Sequence, residues 1–129
     1  MLLAVSCSTN RQLEIFYFPI GAETFNAVTT ADIEERGKRC FVSDARAVSS
    51  IVKLLDSASP AGPEQSFIDM NVRAKIIEHS KERKALLALV ENNGAVRRNG
   101  SDFMLSTEAL ADLKTVIEMQ FKTKGACDM

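Results

Sequence analysis

The one histidine of the chain, His79, stands between Glu78 and Ser80, and a serine, a histidine and a carboxylate are the parts of a hydrolytic relay. That chemistry needs the three side chains to converge, whereas successive residues of an extended segment point to opposite faces. The trio therefore reads as a polar hairpin tip, and no catalytic residue is assigned. Three cysteines, Cys7, Cys40 and Cys127, are the other reactive candidates. Lys38, Arg39 or Lys124 could lower a thiol pKa toward nucleophilic behaviour, but flanking cations are common, and structural or disulfide roles fit better. No C-x-x-C occurs, and with a single histidine the cysteine spacing makes no zinc ligand set. Neither G-x-G-x-x-G nor G-x-x-x-x-G-K-S/T is present to cradle a phosphate. Glu34 and Glu35 lack the apolar setting that would drive apart the pKa values of an acid and base pair. The chain thus reads as non-enzymatic, with no metal and no cofactor.

The N-terminus, Met1-Leu2-Leu3-Ala4-Val5-Ser6-Cys7, is apolar up to a small residue and a cysteine, then polar from Ser8 to Arg11. It resembles the end of a bacterial lipoprotein signal peptide, which implies lipidation at Cys7 and residues 1–11 as signal remnant and tether. Three features depart from that pattern: no basic region precedes it, the apolar run is short, and a leucine lies one position early. The competing reading makes Leu2 to Val5 a packed edge strand and Cys7 a small buried hydrophobe. Cysteine parity sharpens the choice. With Cys7 lipidated, Cys40 and Cys127 remain to pair in an oxidising periplasm, whereas in the cytoplasm all three stay reduced. No stretch reaches the ~20 apolar residues of a membrane-spanning helix.

These residues must be positioned by a recognisable set of elements. Leu13 to Phe18, apolar on both faces and stopped by Pro19 and Gly21, predicts a central strand. Thr30 can cap a short helix over 31–36, and a strand follows at 39–42. Ser43 opens a helix over 44–57 whose Val48, Ile51, Val52 and Leu55 form one apolar stripe. The Ser57 to Pro63 stretch, rich in proline and glycine, reads as a crossover loop. Ile68, Met70, Val72, Ala74 and Ile76 alternate with polar residues and predict the next strand, and Ala85 to Val90 its partner across the tip at 79–83. Asn93-Gly94 and Asn99-Gly100 predict two type I′ turns, each calling for positive φ at both residues, around short strands at 95–98 and 102–105. Ser106 caps a last helix over 107–122 with a stripe of Leu110, Leu113, Ile117 and Phe121. The sum is a single α+β domain over 12–129: β-α-β-α, a four-strand antiparallel meander and a C-terminal helix, with helices packed on one face of the sheet.

Composition sets the class of partner. Among 129 residues, 46% are hydrophobic and 26% charged with a net charge of −1, which is too apolar and too near neutral for intrinsic disorder and argues against a partner bound mainly by charge. Lys81, Arg83, Lys84, Arg97 and Arg98 carry no interleaved aromatic to stack a base, so nucleic acid is not expected. If helices cover one sheet face, the other presents Phe16, Phe18, Arg73 and Lys75, an apolar patch rimmed by charge of the kind that binds a protein or a second copy. An envelope lipoprotein or a toxin-immunity or inhibitor protein would have this look. The alternative is a cytoplasmic small-ligand-binding domain or an enzyme assembled from distant residues, with Arg73 or Lys75 as an anion contact.

Overall fold

A computed structural model describes residues 11–22, 27–63, 66–81 and 83–122. In chain order the elements are β1 (Gln12–Tyr17), α1 (Ile33–Arg36), β2 (Lys38–Val42), α2 (Ala45–Asp56), β3 (Ser59–Pro60), β4 (Val72–His79), β5 (Lys84–Glu91), β6 (Ala95–Arg98), β7 (Ser101–Met104) and α3 (Thr107–Lys122). The strands form one antiparallel sheet in the order β2-β1-β4-β5-β6-β7-β3, an α+β fold with the expected meander running from β4 to β7. β3 is an addition within the expected crossover loop. Its Pro60 sits on an edge strand, where a missing N–H breaks no central ladder.

The first face of the sheet carries the larger core. Leu13, Ile15 and Tyr17 of β1 pack with Cys40, Val42, Ala74, Ile76, Ala88 and Val90 beneath Val48, Ile51 and Leu55 of α2 and Leu113 and Ile117 of α3. Both helices start on side-chain caps. Asp44, rather than Ser43, accepts the Ala47 N–H at 3.0 Å, and Ser106 accepts that of Ala109 at 3.0 Å. The turns divide between two types. Asn99 and Gly100 both have positive φ, at 52° and 78°, as a type I′ turn requires. At the other site only Gly94 does, at 98°, and Asn93 instead accepts the Ala95 N–H on its side-chain oxygen.

The second face is covered by smaller pieces. Ile33 of α1, Val28 and Phe67 close over Phe16, Val72, Ile77 and Leu89. The expected strand beginning at Ile68 starts instead at Val72, and residues 68–71 form a loop that leaves Ile68 and Met70 exposed. Glu91 is the reason. Only 1% exposed, its carboxylate accepts the N–H groups of Ile68, Met70 and Asn71 at 3.0, 3.0 and 3.3 Å, so the loop backbone is satisfied by a side chain and needs no partner strand. Asp69 takes φ 60° and accepts both the backbone N–H and the hydroxyl of Thr30, tying the loop to the segment before α1. Val28 completes the clamp: its N–H donates to Met70 O at 2.9 Å and its carbonyl accepts from Val72 N at 2.8 Å.

Glu91→Gln should cost about 2–3 kcal/mol in urea unfolding, because one amide NH2 then faces backbone donors in a buried site. A loss below about 0.5 kcal/mol would mean that the loop holds without the carboxylate.

Candidate functional site

Residues directly opposite one another in adjacent strands share a face, so the registers lay out the second face in rows. One row runs Arg39, Phe16, Lys75, Leu89, Arg97 and Asp102 from β2 to β7. This row lies under or against the cover: Lys75 pairs with Glu34 of α1, and the Arg97 guanidinium sits 4.8 Å from the Phe67 ring centre. The next row runs Phe41, Glu14, Ile77 and Leu86, and beyond it Gln12, His79 and Lys84. Here the cover ends: it still buries Ile77, and Glu14 lies below the surface, but it does not reach the ends of the row. Leu86 is 48% exposed, Phe41 and His79 are half-buried, and Lys84 is exposed.

At the centre of this uncovered end lies a charged group beneath the surface. Glu14 accepts from Arg39 Nε at 2.8 Å on one carboxylate oxygen and meets His79 Nε2 at 2.8 Å on the other. Burial alone would raise its pKa, but the hydrogen bonds from His79 and Arg39, with their charge, outweigh burial and hold it below the ordinary value of 4.5. The Phe41 ring lies beside the His79 ring, centres 6.1 Å apart, and Arg39 stacks 4.7 Å from the centre of Phe41. His79 is thus oriented by Glu14, a residue 65 positions away, and not by its neighbours Glu78 and Ser80. Glu78 pairs with Arg11, and the Ser80 hydroxyl donates to Arg83 O at 3.2 Å. A carboxylate in the middle of Leu13 to Phe18, otherwise apolar on both faces, was the signal in the sequence: such a group must have partners.

The residues expected to form a partner surface do not all reach one. Phe16 is 9% exposed and Arg73 1%, both beneath the cover, while Phe18 and Lys75 are half-buried. The face expected to be open is closed over these positions because α1 and the loop at 66–71 supply the layer that the two long helices do not. Arg73 gives its guanidinium to backbone: Nη1 donates to Val72 O at 3.1 Å and Nη2 to Ala22 O at 2.8 Å, while Nε has no partner among the described residues. The five-residue basic rim also separates. Arg97 is neutralised by Asp102 at 2.9 Å and Arg98 by Asp56 at 2.7 Å, whereas Lys81, Arg83 and Lys84 make no ion pair among the described residues. Cys40 is buried and disulfide-bonded. Cys7, with the suggested signal remnant, and Cys127 lie outside the described residues.

Among the described residues no group of three or more His, Cys, Asp and Glu side chains is placed to hold a metal ion, and no helix is long and apolar enough to cross a membrane. No protein-family model, curated protein or solved structure matches the chain.

A lowered carboxylate pKa gives stability that is complete above its unfolded value and lost as pH falls through the folded one. Glu14→Gln should therefore destabilise the protein by about 1–2 kcal/mol at pH 7. The gap between variant and wild type should shrink once the pH drops below 4.5, followed by urea unfolding across the acid range. A gap that stays constant through that range would remove Glu14 as its source.

Proposed function

We propose that the chain is a small non-enzymatic binding domain that takes a protein partner on the uncovered end of the second sheet face, around Phe41, His79, Lys84 and Leu86. One observation carries the reading: the cover that closes the rest of this face reaches Ile77 but not Leu86 or Phe41 in the same row, leaving Leu86 exposed and Phe41 half-buried beside cations. An apolar centre with a charged rim is the usual anatomy of a protein interface.

The charge selects the partner. Lys81, Arg83 and Lys84 are without ion pairs among the described residues, so the complementary surface offers carboxylates around an apolar anchor that packs on Leu86 and Phe41. Glu14 does not add to the negative charge seen by the partner, since Arg39 and His79 enclose it. Immunity and inhibitor proteins work by surface complementarity of this kind, without chemistry of their own.

The test compares what tagged variants retain from the cells that make the protein. Leu86→Asp and Lys84→Glu should each reduce recovery of a specific partner at least ~10-fold, about 1.4 kcal/mol of binding. Met119→Asp, at an exposed position on α3, should leave it unchanged. Equal recovery by all variants, or loss with Met119→Asp alone, would place the interaction elsewhere. Circular dichroism of each variant should match the wild type, since the substituted positions are exposed.

A further inference from the structure

β1 ends at Tyr17, and there the chain divides between the two layers of the fold. Tyr17 turns to α3, where its hydroxyl donates to Glu118 at 2.7 Å and accepts the Ile20 N–H at 3.2 Å, and its ring meets Phe121 with centres 5.7 Å apart. Phe18 turns to the other side, where Arg36 of α1 and the buried Arg73 flank its ring at 5.7 and 5.3 Å. Between these diverging side chains lies a cavity of about 260 Å³, walled by Tyr17, Phe18, Pro19 and Phe121 and edged by Arg36, Lys38 and Glu118.

The charges at its edge are unequal in what they are free to do. Glu118 is engaged by the Tyr17 hydroxyl, and that phenol holds its proton: burial, with the carboxylate beside it, pushes its pKa well above the usual tyrosine range. Neither Arg36 nor Lys38 has a carboxylate partner among the described residues. Arg36 gives one donor to the Ala27 carbonyl at 3.1 Å, which leaves most of the guanidinium fork available. An apolar chamber with a few placed polar groups is the ordinary make-up of a small-molecule site. Its two uncommitted cations ask for an anion.

We propose that this cavity binds a small amphipathic carboxylate, its apolar body against Phe18, Pro19 and Phe121 and its carboxylate on Arg36 and Lys38. The volume is that of roughly nine waters at ~30 Å³ each, which suits a ligand of about ten non-hydrogen atoms such as an arylacetate. The site lies at the opposite end of β1 from Glu14 and His79, so it is independent of the protein-binding surface.

Tyr17 is the single tyrosine of the chain, so incorporation of 3-fluorotyrosine gives one fluorine resonance at the cavity wall. Phenylacetate should shift that resonance saturably with a Kd of about 1 mM or below, and phenylacetamide, of the same shape without the charge, should bind at least ~10-fold more weakly. The double variant Arg36→Gln and Lys38→Gln should lose about 10-fold for phenylacetate and nothing for phenylacetamide, with each single substitution falling between. Arg98→Gln, remote and paired with Asp56, should bind as wild type does. No saturable shift by about 10 mM, equal binding of acid and amide, or a double variant that binds phenylacetate like wild type would each overturn the proposal. Arg36 and Lys38 are exposed, so the unliganded variants should keep the wild-type resonance and unfolding midpoint, and that check separates lost binding from lost fold.

Discussion

A single buried carboxylate decides how much of this sheet is covered. β1 and β4 are apolar on both faces, so the fold needs two layers of cover, but among the described residues only two helices are long enough to supply a layer, and both lie on the first face. The second layer is made from the four-residue α1, an isolated bridge at Val28 and the loop at 66–71. Backbone at that depth must have its N–H groups satisfied, and Glu91 satisfies three of them from one side chain. The cover closes over Phe16, Leu89 and Val72 and stops before Leu86. The surface proposed to bind a partner is therefore a consequence of how the loop is pinned.

Periodicity made the first layer legible and left the second unread. In the stripes Val48, Ile51, Val52 and Leu55, and Leu110, Leu113, Ile117 and Phe121, the residues Val48, Ile51, Leu55, Leu113 and Ile117 are buried and Val52, Leu110 and Phe121 pack partly buried against them. Ile68 and Met70 kept the same alternation as Val72, Ala74 and Ile76, yet both are exposed in a loop. Alternation over five positions describes a strand only if the backbone finds a partner strand. Here Glu91, Asp69 and Val28 outbid the sheet for residues 68–71, through contacts to positions distant in sequence. The Asn-Gly turns show the same limit at smaller scale. Asn99 adopts the left-handed backbone the dipeptide favours, while Asn93 satisfies Ala95 through its side chain and leaves the positive φ to Gly94 alone.

The candidate site was legible only as an anomaly. Glu14 stands in a strand with no other charge, and burial of a carboxylate to 5% exposure is tolerable only with partners that compensate its lost hydration. Its partners come from β2 and β4, which flank β1, so their identity depended on strand order, and strand order was not readable from the sequence. His79 was conspicuous for its type and its neighbours, and those neighbours proved irrelevant: the face it shares with Gln12 and Lys84 set its contact. Arg73 misled in the opposite sense. Placed by alternation on the polar side of a strand, it lies under the cover, stacked on Phe18 and bonded to two backbone carbonyls.

The shifted ionisable groups bear on what kind of function the scaffold supports. General acid or base chemistry near neutral pH uses a carboxyl raised, or a base lowered, toward 7. Three of the shifts here run the other way, and Arg73, lowered by burial, gives its guanidinium to two backbone carbonyls. Glu14 lies below its ordinary range through His79 and Arg39 despite burial, Asp102 below its own through the Arg97 hydrogen bond and the Phe67 N–H, and Tyr17 above its own through burial beside Glu118. Each is driven away from neutrality by a contact that fastens one element to another: β1 to β2 and β4, β7 to β6 and the covering loop, β1 to α3. Such groups hold one protonation state through the neutral range and tie the elements together in one frame. What that frame leaves free is surface: Leu86 and the three cations of the β4–β5 hairpin at one end of β1, and Arg36 and Lys38 around a small apolar chamber at the other. The buried charges of this frame are met by partners inside it, Glu14 by Arg39 and His79, Glu91 by backbone N–H groups and Arg73 by backbone carbonyls, while the cations without ion pairs among the described residues lie beside exposed apolar groups, which is why binding is the function we propose.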